Sequence, residues 1–516
     1  MTLEKLRVFA RAAAFEIISD SRYYSPSPYR MILNGEEHGR GNTNFVALFL
    51  LTPSMYYRLC LEFEDGQTLS CDFITDAESM CLNITKFGAV GDGITDCTAA
   101  IQGAIACCPS GGTVYIPQGN YLCYPLFLKS HITVYLDRGA RLIGGAERKR
   151  YPVLPGMLQC EGGERSYGSW EGNPLDSFAS LITAIDCVNV IIAGEGTIDG
   201  NAQAGDWWWE PKLRRTAWRP RTLFFNRCHE VTVLGVTVCN SPSWTIHPYY
   251  CHGVDILGIA VSNPEDSPNT DGCDPECCTD VRIIGAHFSV GDDCVSFKSG
   301  KYYMGRNHFR RTERLLVRNC LMDKGHGAVV LGSEISCGVD GLLVEKCIMQ
   351  NTDRGLRVKT RRGRGSASII DGIEFHNITM ENVQTPFSVN MFYFCDPDGH
   401  SAYVESKTPL PVDHLTPSIG SLYCHNITCT GCHYAGAFLY GLPESPIGCV
   451  TLENVRISFD ENAREGMPAM LNGIAPMKRR AIDAINVKRL VLRDVVFENY
   501  LGESLNLVGV EELITE

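Results

Sequence analysis

The chain has 516 residues, of which 44% are hydrophobic and 20% charged, a balance that excludes a disordered chain and suffices for one large domain and a small one. Its formal net charge of -13 argues against nucleic acid as a general partner, so an anionic ligand would need a local basic patch. Glu4, Lys5, Arg7, Arg11 and Glu16 leave no apolar core for a signal peptide, and the longest apolar run near the start, Phe45 to Leu51, is far too short for a bilayer span. The expectation is a soluble, cytoplasmic protein with no membrane partner, its 24 cysteines reduced and used as small buried hydrophobes. Cys273, Cys277 and Cys278 crowd together without histidines at metal spacing, so no zinc site is expected.

In chain order, Ala13 to Ile17, Arg30 to Ile32, Val46 to Leu51 and Tyr57 to Phe63 alternate as short strands, punctuated by Asn34-Gly35 and Asp65-Gly66. They predict a small β-sandwich over residues 1–81. The stretch Leu51 to Tyr57 resembles the proline-and-tyrosine corner of fibronectin type III modules. A second domain, residues 82–516, opens with Phe87 to Asp96 and a capped helix from Thr98 to Cys107. Beyond it, four segments share the form Cys-x-x-Val-x-(Ile/Val)-x-Gly: Cys187 to Gly194, Cys228 to Gly235, Cys251 to Gly258 and Cys278 to Gly285. Their starts are 41, 23 and 27 residues apart, so the first gap reads as near two repeats. Further strands are expected around Val344, Ile373, Ile427, Val450 and Leu490. Short alternating strands at this period with almost no helix point to an all-β parallel β-helix, with the cysteines stacked inward and the sandwich packed on one end.

Polar motifs concentrate between residues 240 and 360. Asn269-Thr270-Asp271-Gly272 is followed by Gly291-Asp292-Asp293, Gly325-His326-Gly327 and Arg357-Val358-Lys359. Asp271 and Asp292 are 21 residues apart, which places them on neighbouring rungs, roughly 4.8 Å apart along the axis. A bend after Gly291 would turn both Asp292 and Asp293 toward solvent. Clustered carboxylates cannot all ionise cheaply, so one retains a proton near neutrality and the group supplies an acid and a base. That pairing is what glycoside hydrolysis requires. Taken singly, each aspartate is better read as a turn residue; together with the Gly-flanked His326 and the basic pair, the functional reading prevails. Arg357 and Lys359 share one face of a strand, where they could hold a substrate carboxylate or pair with Asp353 or Glu334. Trp207, Trp208 and Trp209 fit a packed loop or a sugar platform equally well.

These motifs, in this order and together with Phe87 to Asp96 and Asn240 to Pro248, resemble the polygalacturonases of glycoside hydrolase family 28, the bacterial exo-acting branch in particular. The resemblance implies a right-handed parallel β-helix and inverting hydrolysis of α-1,4-galacturonide linkages in pectic oligosaccharides, with no metal or organic cofactor. It further implies Asp292 as general acid, Asp271 and Asp293 as the pair that activates water, and His326, Arg357 and Lys359 as substrate contacts. Asn269, Lys298, His247 and Tyr393 join these as further expected substrate-binding residues. Within the family, a rhamnogalacturonan or substituted-galacturonan hydrolase is the competing expectation. Outside that activity stand a calcium-dependent pectate lyase-like protein, in which the aspartates would be oxygen ligands, and a carbohydrate-binding β-helix without catalysis.

Overall fold

The computed structural model describes residues 1–516. Residues 2–74 form two antiparallel sheets. One joins Thr2–Val8, Ala13–Ile18 and Phe45–Leu48; the other orders Glu36–Thr43, Tyr24–Leu33, Tyr56–Phe63 and Thr68–Ile74. Alternating inward residues such as Phe15, Val46, Leu59, Leu61 and Phe73 fill the space between them. Asn34 (φ 51°) and Gly35 (φ 90°) make the hairpin turn that their dipeptide announces. The Tyr57 hydroxyl accepts from the Thr52 amide at 2.9 Å, a tyrosine corner at the place the sequence suggests. The strands Thr2–Val8, Glu36–Thr43 and Thr68–Ile74 escape pattern reading because most of their residues remain in contact with solvent.

From Cys81 onward the chain coils into a right-handed parallel β-helix whose coils stack in register. The repeated segments align residue for residue: Val190 pairs with Val231, Val231 with Val254 and Val254 with Val281. The Cys187 and Cys228 segments are therefore adjacent coils. The 41-residue gap is one coil carrying a long insert, not two repeats, because the insert leaves at a turn and does not disturb the ladder. Cys187, Cys228, Cys251 and Cys278 stack at the corner, where each thiol donates to the carbonyl two residues before it at 3.3–3.6 Å. All 24 cysteines are free thiols. The predicted helix Thr98–Cys107 is present, its first turn capped by Asp96, and buries Ile101, Ala104 and Ile105 in the solenoid core. No helix is long and apolar enough to cross a membrane.

The small sandwich lies along the flank of the coil and not on its end. Phe45, Ala12 and Ala14 pack against Ile191, Leu234, Leu257 and Ile284, which are outward residues of successive coils. The conserved form of the repeat now has a steric reason at its last position. A Cβ on Gly258 or Gly285 would stand 2.0–2.3 Å from Phe45, and both glycines have positive φ. Glu16, fully buried, accepts from Arg318 at 2.6 and 2.8 Å and from Asn319 at 2.7 Å, tying the module to the coil. Phe45→Ala should therefore destabilise the whole chain by about 3 kcal/mol, read as a lower urea midpoint. An unchanged midpoint would mean that the flank contact contributes nothing to stability.

Candidate active site

One ladder of the coil, here called the site sheet, runs through Ile182–Ile185, Leu223–Asn226, Ile246–Tyr249, residues 273–276, Asp293–Phe297, Gly327–Gly332, Arg354–Lys359 and Thr385–Asn390. Cys273 pairs with Val295, so Asp271 and Asp293 occupy equivalent positions one rung apart, and the Gly272 amide donates to the Asp293 carbonyl at 2.9 Å. Asp292 lies on the bend before the strand, half-buried, with Asp293 as the first strand residue. The bend leaves Asp292 open to the cleft, whereas Asp293, also expected to face solvent, is fully buried because Arg357 and Lys359 cover it. Carboxylate oxygens of Asp271, Asp292 and Asp293 all lie within 4.8 Å of one another.

Asp293 is enclosed, and both of its oxygens are taken. Arg357 Nη1 donates to Oδ1 at 2.8 Å and Lys359 Nζ to Oδ2 at 2.6 Å. These cations come from two rungs further along, and they reach across because the intervening residue is Gly327. A Cβ there would meet Asp293 Oδ1 at 3.1 Å and Arg357 Cδ at 3.3 Å. Burial opposes ionisation of Asp293, but Lys359, Arg357 and Lys298 outweigh it and hold the carboxyl far below its usual range. Asp271 behaves oppositely. Burial, reinforced by Asp274 and Asp292, pushes its pKa well up, and its Oδ1 has no protein partner. The trio thus combines a permanently ionised carboxylate with a retained proton. Its spacing would admit a cation, but Arg357, Lys359 and Lys298 already deliver positive charge to the same oxygens.

Lys298 is buried beneath this surface, 3.7 Å from Asp271, 3.4 Å from Asp274 and 3.3 Å from Glu334. Glu334 is held low, burial being outweighed by Lys298, Lys301 and Arg364. His326 is exposed, its Nδ1 2.9 Å from Asp353. That contact, against some burial and with help from Asp292, raises its pKa. Tyr393 is buried, its ring 5.6 Å from Lys359 Nζ. Asn269, partly buried with φ 55°, accepts from Arg219 at 2.6 Å.

Three expectations need correction. His247 cannot touch a substrate in this arrangement: it is completely enclosed, walled by Phe224, Trp244 and Tyr249, and its Nε2 sits 3.0 Å from Glu276. Arg357 and Lys359 pair with Asp293, whereas Asp353 pairs with His326 and Arg354, and Glu334 with Lys298. The tryptophan triplet divides: Trp207 is core against Tyr151 and Phe178, Trp208 donates to the Ser241 carbonyl at 3.0 Å, and Trp209 is exposed beside Arg215. Sequence reasoning also passed over Arg219, Arg221, Asp274, Glu276 and Trp170. Asp274 and Glu276 were in view three and five residues beyond Asp271, whereas the others lie in inserts without a repeating pattern.

The insert between Ala140–Gly144 and Ile182–Ile185 precedes its own site-sheet strand, yet it ends on residues that follow the site-sheet strand four rungs later. The Lys301 amide donates to the Gly172 carbonyl at 2.9 Å, and Tyr303 donates to Glu164 at 2.9 Å. On the way, the Ser166 carbonyl accepts from Asn226 and Arg227, and Trp170 stacks on Trp218 at 4.8 Å. The insert crosses the site sheet and closes the cleft on the N-terminal side of the aspartates.

Beneath that closed end, burial raises the Asp274 pKa to about 7 and the Glu276 pKa to about 8. An acid whose folded pKa is raised stabilises the fold below its unfolded pKa, about 4 here. That contribution is lost as pH climbs through the folded value. The unliganded protein should therefore lose thermal stability between about pH 5 and pH 8, and Glu276→Gln should flatten the loss. Parallel melting curves for both proteins across that range would contradict the assignment.

Comparison with known proteins agrees with this geometry. The Glycosyl hydrolases family 28 profile matches residues 157–414, and a profile for Rhamnogalacturonase A/epimerase, pectate lyase-like, matches residues 81–163. The chain is 31% identical over 393 residues to a probable polygalacturonase of Vitis vinifera, covering 74% of this chain and 75% of that one. Among solved structures, the family 28 exopolygalacturonase of Yersinia enterocolitica superposes with a TM-score of 0.74 at 19% identity, covering 100% of this chain and 99% of that one. A hyperthermoactive exopolygalacturonase from Thermotoga maritima superposes with a TM-score of 0.67 at 26% identity, covering 81% and 91%. With half of its length inside the family profile and a 31% identical relative aligned over nearly three quarters of it, the chain belongs to glycosyl hydrolase family 28 and is a glycoside hydrolase.

Proposed function

We infer that the protein hydrolyses α-1,4-galacturonide linkages of pectic oligosaccharides from a chain end, by direct attack of water. The observation that carries this reading is the aspartate trio in which Asp293 is saturated by Arg357 and Lys359. A carboxylate whose two oxygens each accept a charge-assisted hydrogen bond is a poor covalent nucleophile but a fixed, ionised anchor for a water molecule. Asp292, the most accessible of the three, delivers the proton that the trio retains to the leaving glycosidic oxygen. Asp271 and Asp293 hold the water, and the ionised Asp293 takes its proton as the anomeric carbon becomes oxocarbenium-like. So electrophilic a centre does not require a strong base. The trio is tighter than the roughly 6.5–9.5 Å of common inverting pairs. The water therefore stands beside the acid, held by two carboxylates of neighbouring rungs.

The substrate reading draws on the probable polygalacturonase of Vitis vinifera and the exopolygalacturonase of Thermotoga maritima as relatives, and on the cations that line the cleft within an acidic chain. Exo action draws on the crossing insert, which leaves no open groove on the N-terminal side for a long chain to pass. His326, paired with Asp353, stands at the open side of Asp292, where it can meet the leaving sugar. The donors of Arg357 and Lys359 that Asp293 leaves free can meet that sugar's carboxylate.

Product analysis with defined oligogalacturonides in chelator tests the reading. Saturated mono- or digalacturonate should appear from the outset, with the β-anomer formed first by proton NMR. Asp292→Asn should lower kcat by at least about 10³-fold. Unsaturated, ultraviolet-absorbing products would instead establish a lyase, and mid-length products from polygalacturonate would exclude exo action. Removing a cation from Asp293 gives an independent check. Lys359→Met raises the Asp293 pKa, so the acid limb of the kcat/KM profile should move toward neutral pH. A profile that keeps its limb while dropping uniformly would deny Asp293 its role as the ionised member.

A further inference from the structure

Seven arginines are buried. Six donate to protein oxygens: Arg354 to Asp353, Arg357 to Asp293, Arg361 and Arg364 to Asp396, Arg362 to Glu444, and Arg219 to Asn269 and two carbonyls. Arg221 is the exception. It is 2% exposed, yet its Nε and Nη2 are enclosed without a hydrogen-bond partner and no carboxylate pairs with it. An enclosed guanidinium with no partner is costly, and apolar replacements of buried charges are commonly neutral or stabilising. A fold that retains such a group at its active-site cleft holds it for something the free protein lacks.

Its surroundings hold it in place without satisfying it. The guanidinium carbon lies 5.2 Å from the Trp244 ring, 5.5 Å from Trp170 and 5.9 Å from Phe224, contacts that favour a cation but supply no acceptor. Trp170 comes from the insert that closes the cleft. Asp274 and Glu276 are the nearest acids, and burial keeps them protonated up to about 7 and about 8. Register fixes the location. Leu223 pairs with Ile246, Ile246 with Cys273 and Cys273 with Val295, so Arg221, Trp244, Asp271 and Asp293 hold equivalent positions on four successive rungs. Arg221 is thus about 10 Å along the axis from Asp271 and about 14 Å from Asp293. A pyranose in a chain advances by about one rung.

We propose that Arg221 is a specificity-determining residue, binding the carboxylate of the uronate lodged at the closed end of the cleft, two sugars from the scissile bond, so that the enzyme releases a disaccharide. Trp244 lies beneath the sugar between this clamp and the aspartates. This assignment rests on the galacturonide-hydrolase reading.

The test compares tetragalacturonide with two derivatives, each methyl-esterified at one terminal sugar, using the full-length protein and Arg221→Met. Wild type should release digalacturonate first. It should cleave the derivative esterified at the closed-end sugar on the order of 10²-fold less efficiently. Arg221→Met should lose about 10²-fold in kcat/KM on the unmodified tetrasaccharide, mainly through KM, and no longer distinguish it from that derivative. Its melting temperature should stay level or rise, because an unpartnered buried charge has been removed. A merely structural arginine would instead give a lower melting temperature and an ester penalty that persists in the variant. If Arg221→Met fails to fold, that too assigns Arg221 to the fold, unless Arg221→Lys retains the ester discrimination. Wild type that cleaves all three substrates equally, or releases monogalacturonate first, refutes the clamp alone. Wild type that cleaves none refutes the galacturonide reading and the clamp with it.

Discussion

A carboxylate sealed from water stays ionised only if cations reach it, and the geometry of this active site follows from satisfying that condition at Asp293. The two cations that do so start two rungs away. They arrive because Gly327 leaves the intervening rung empty at that position, and because a parallel coil holds equivalent side chains of successive rungs at a fixed spacing. Beside Asp293, burial together with Asp274 and Asp292 drives Asp271 toward its protonated form, and Asp292 is left as the group with access to the cleft. Acid, water-holding pair and electrostatic anchor are therefore consequences of one enclosed ion cluster.

Much of this was legible in the sequence, for physical reasons that differ between parts. The coil declared itself through Cys-x-x-Val-x-(Ile/Val)-x-Gly, since a stacked ladder needs the same inward residue at the same place on every rung. The spacing of Asp271 from Asp292 translated into neighbouring rungs for the same reason. The pattern failed wherever an insert lengthened a coil. The 41-residue gap concealed a single rung, and Trp170, Arg219 and Arg221 lay in chain segments whose contacts depend on tertiary crossing. His247 illustrates a subtler limit. It stands on the correct face of the correct strand, but Trp244, Phe224 and the neighbouring tyrosine cover it, and alternation alone reports a face without reporting what lies over it.

Buried carboxylate oxygens without a partner separate scaffold from site, for they occur at Asp271, Asp274 and Glu276 alone. The corner cysteines close their hydrogen bonds onto carbonyls of their own and adjacent rungs, and the flank module meets the coil through a fully paired Glu16. At the cleft, Asp271, Asp274, Glu276, His247 and Arg221 each retain a buried atom without a partner. Such atoms lower stability, and a solenoid tolerates them because its ladders and continuous apolar core extend well beyond these few rungs. Stability is supplied by the repeat, which leaves a short stretch of it free to carry groups that only a ligand completes.

This separation also explains how cleavage mode can be set without altering the chemistry. The insert that closes the cleft leaves the coil after Gly144 and rejoins it before Ile182, and the ladders on both sides continue in register through it. Its anchoring contacts, Gly172 to Lys301 and Glu164 to Tyr303, fall on the short helix Tyr302–Asn307 and its N-cap and not on the strands that bear the aspartates. A longer or shorter insert would move the closed end by whole rungs while Asp271, Asp292 and Asp293 kept their mutual distances. The rung spacing then acts as the ruler against which the sugar chain is measured, and the insert decides where on that ruler the chain must stop.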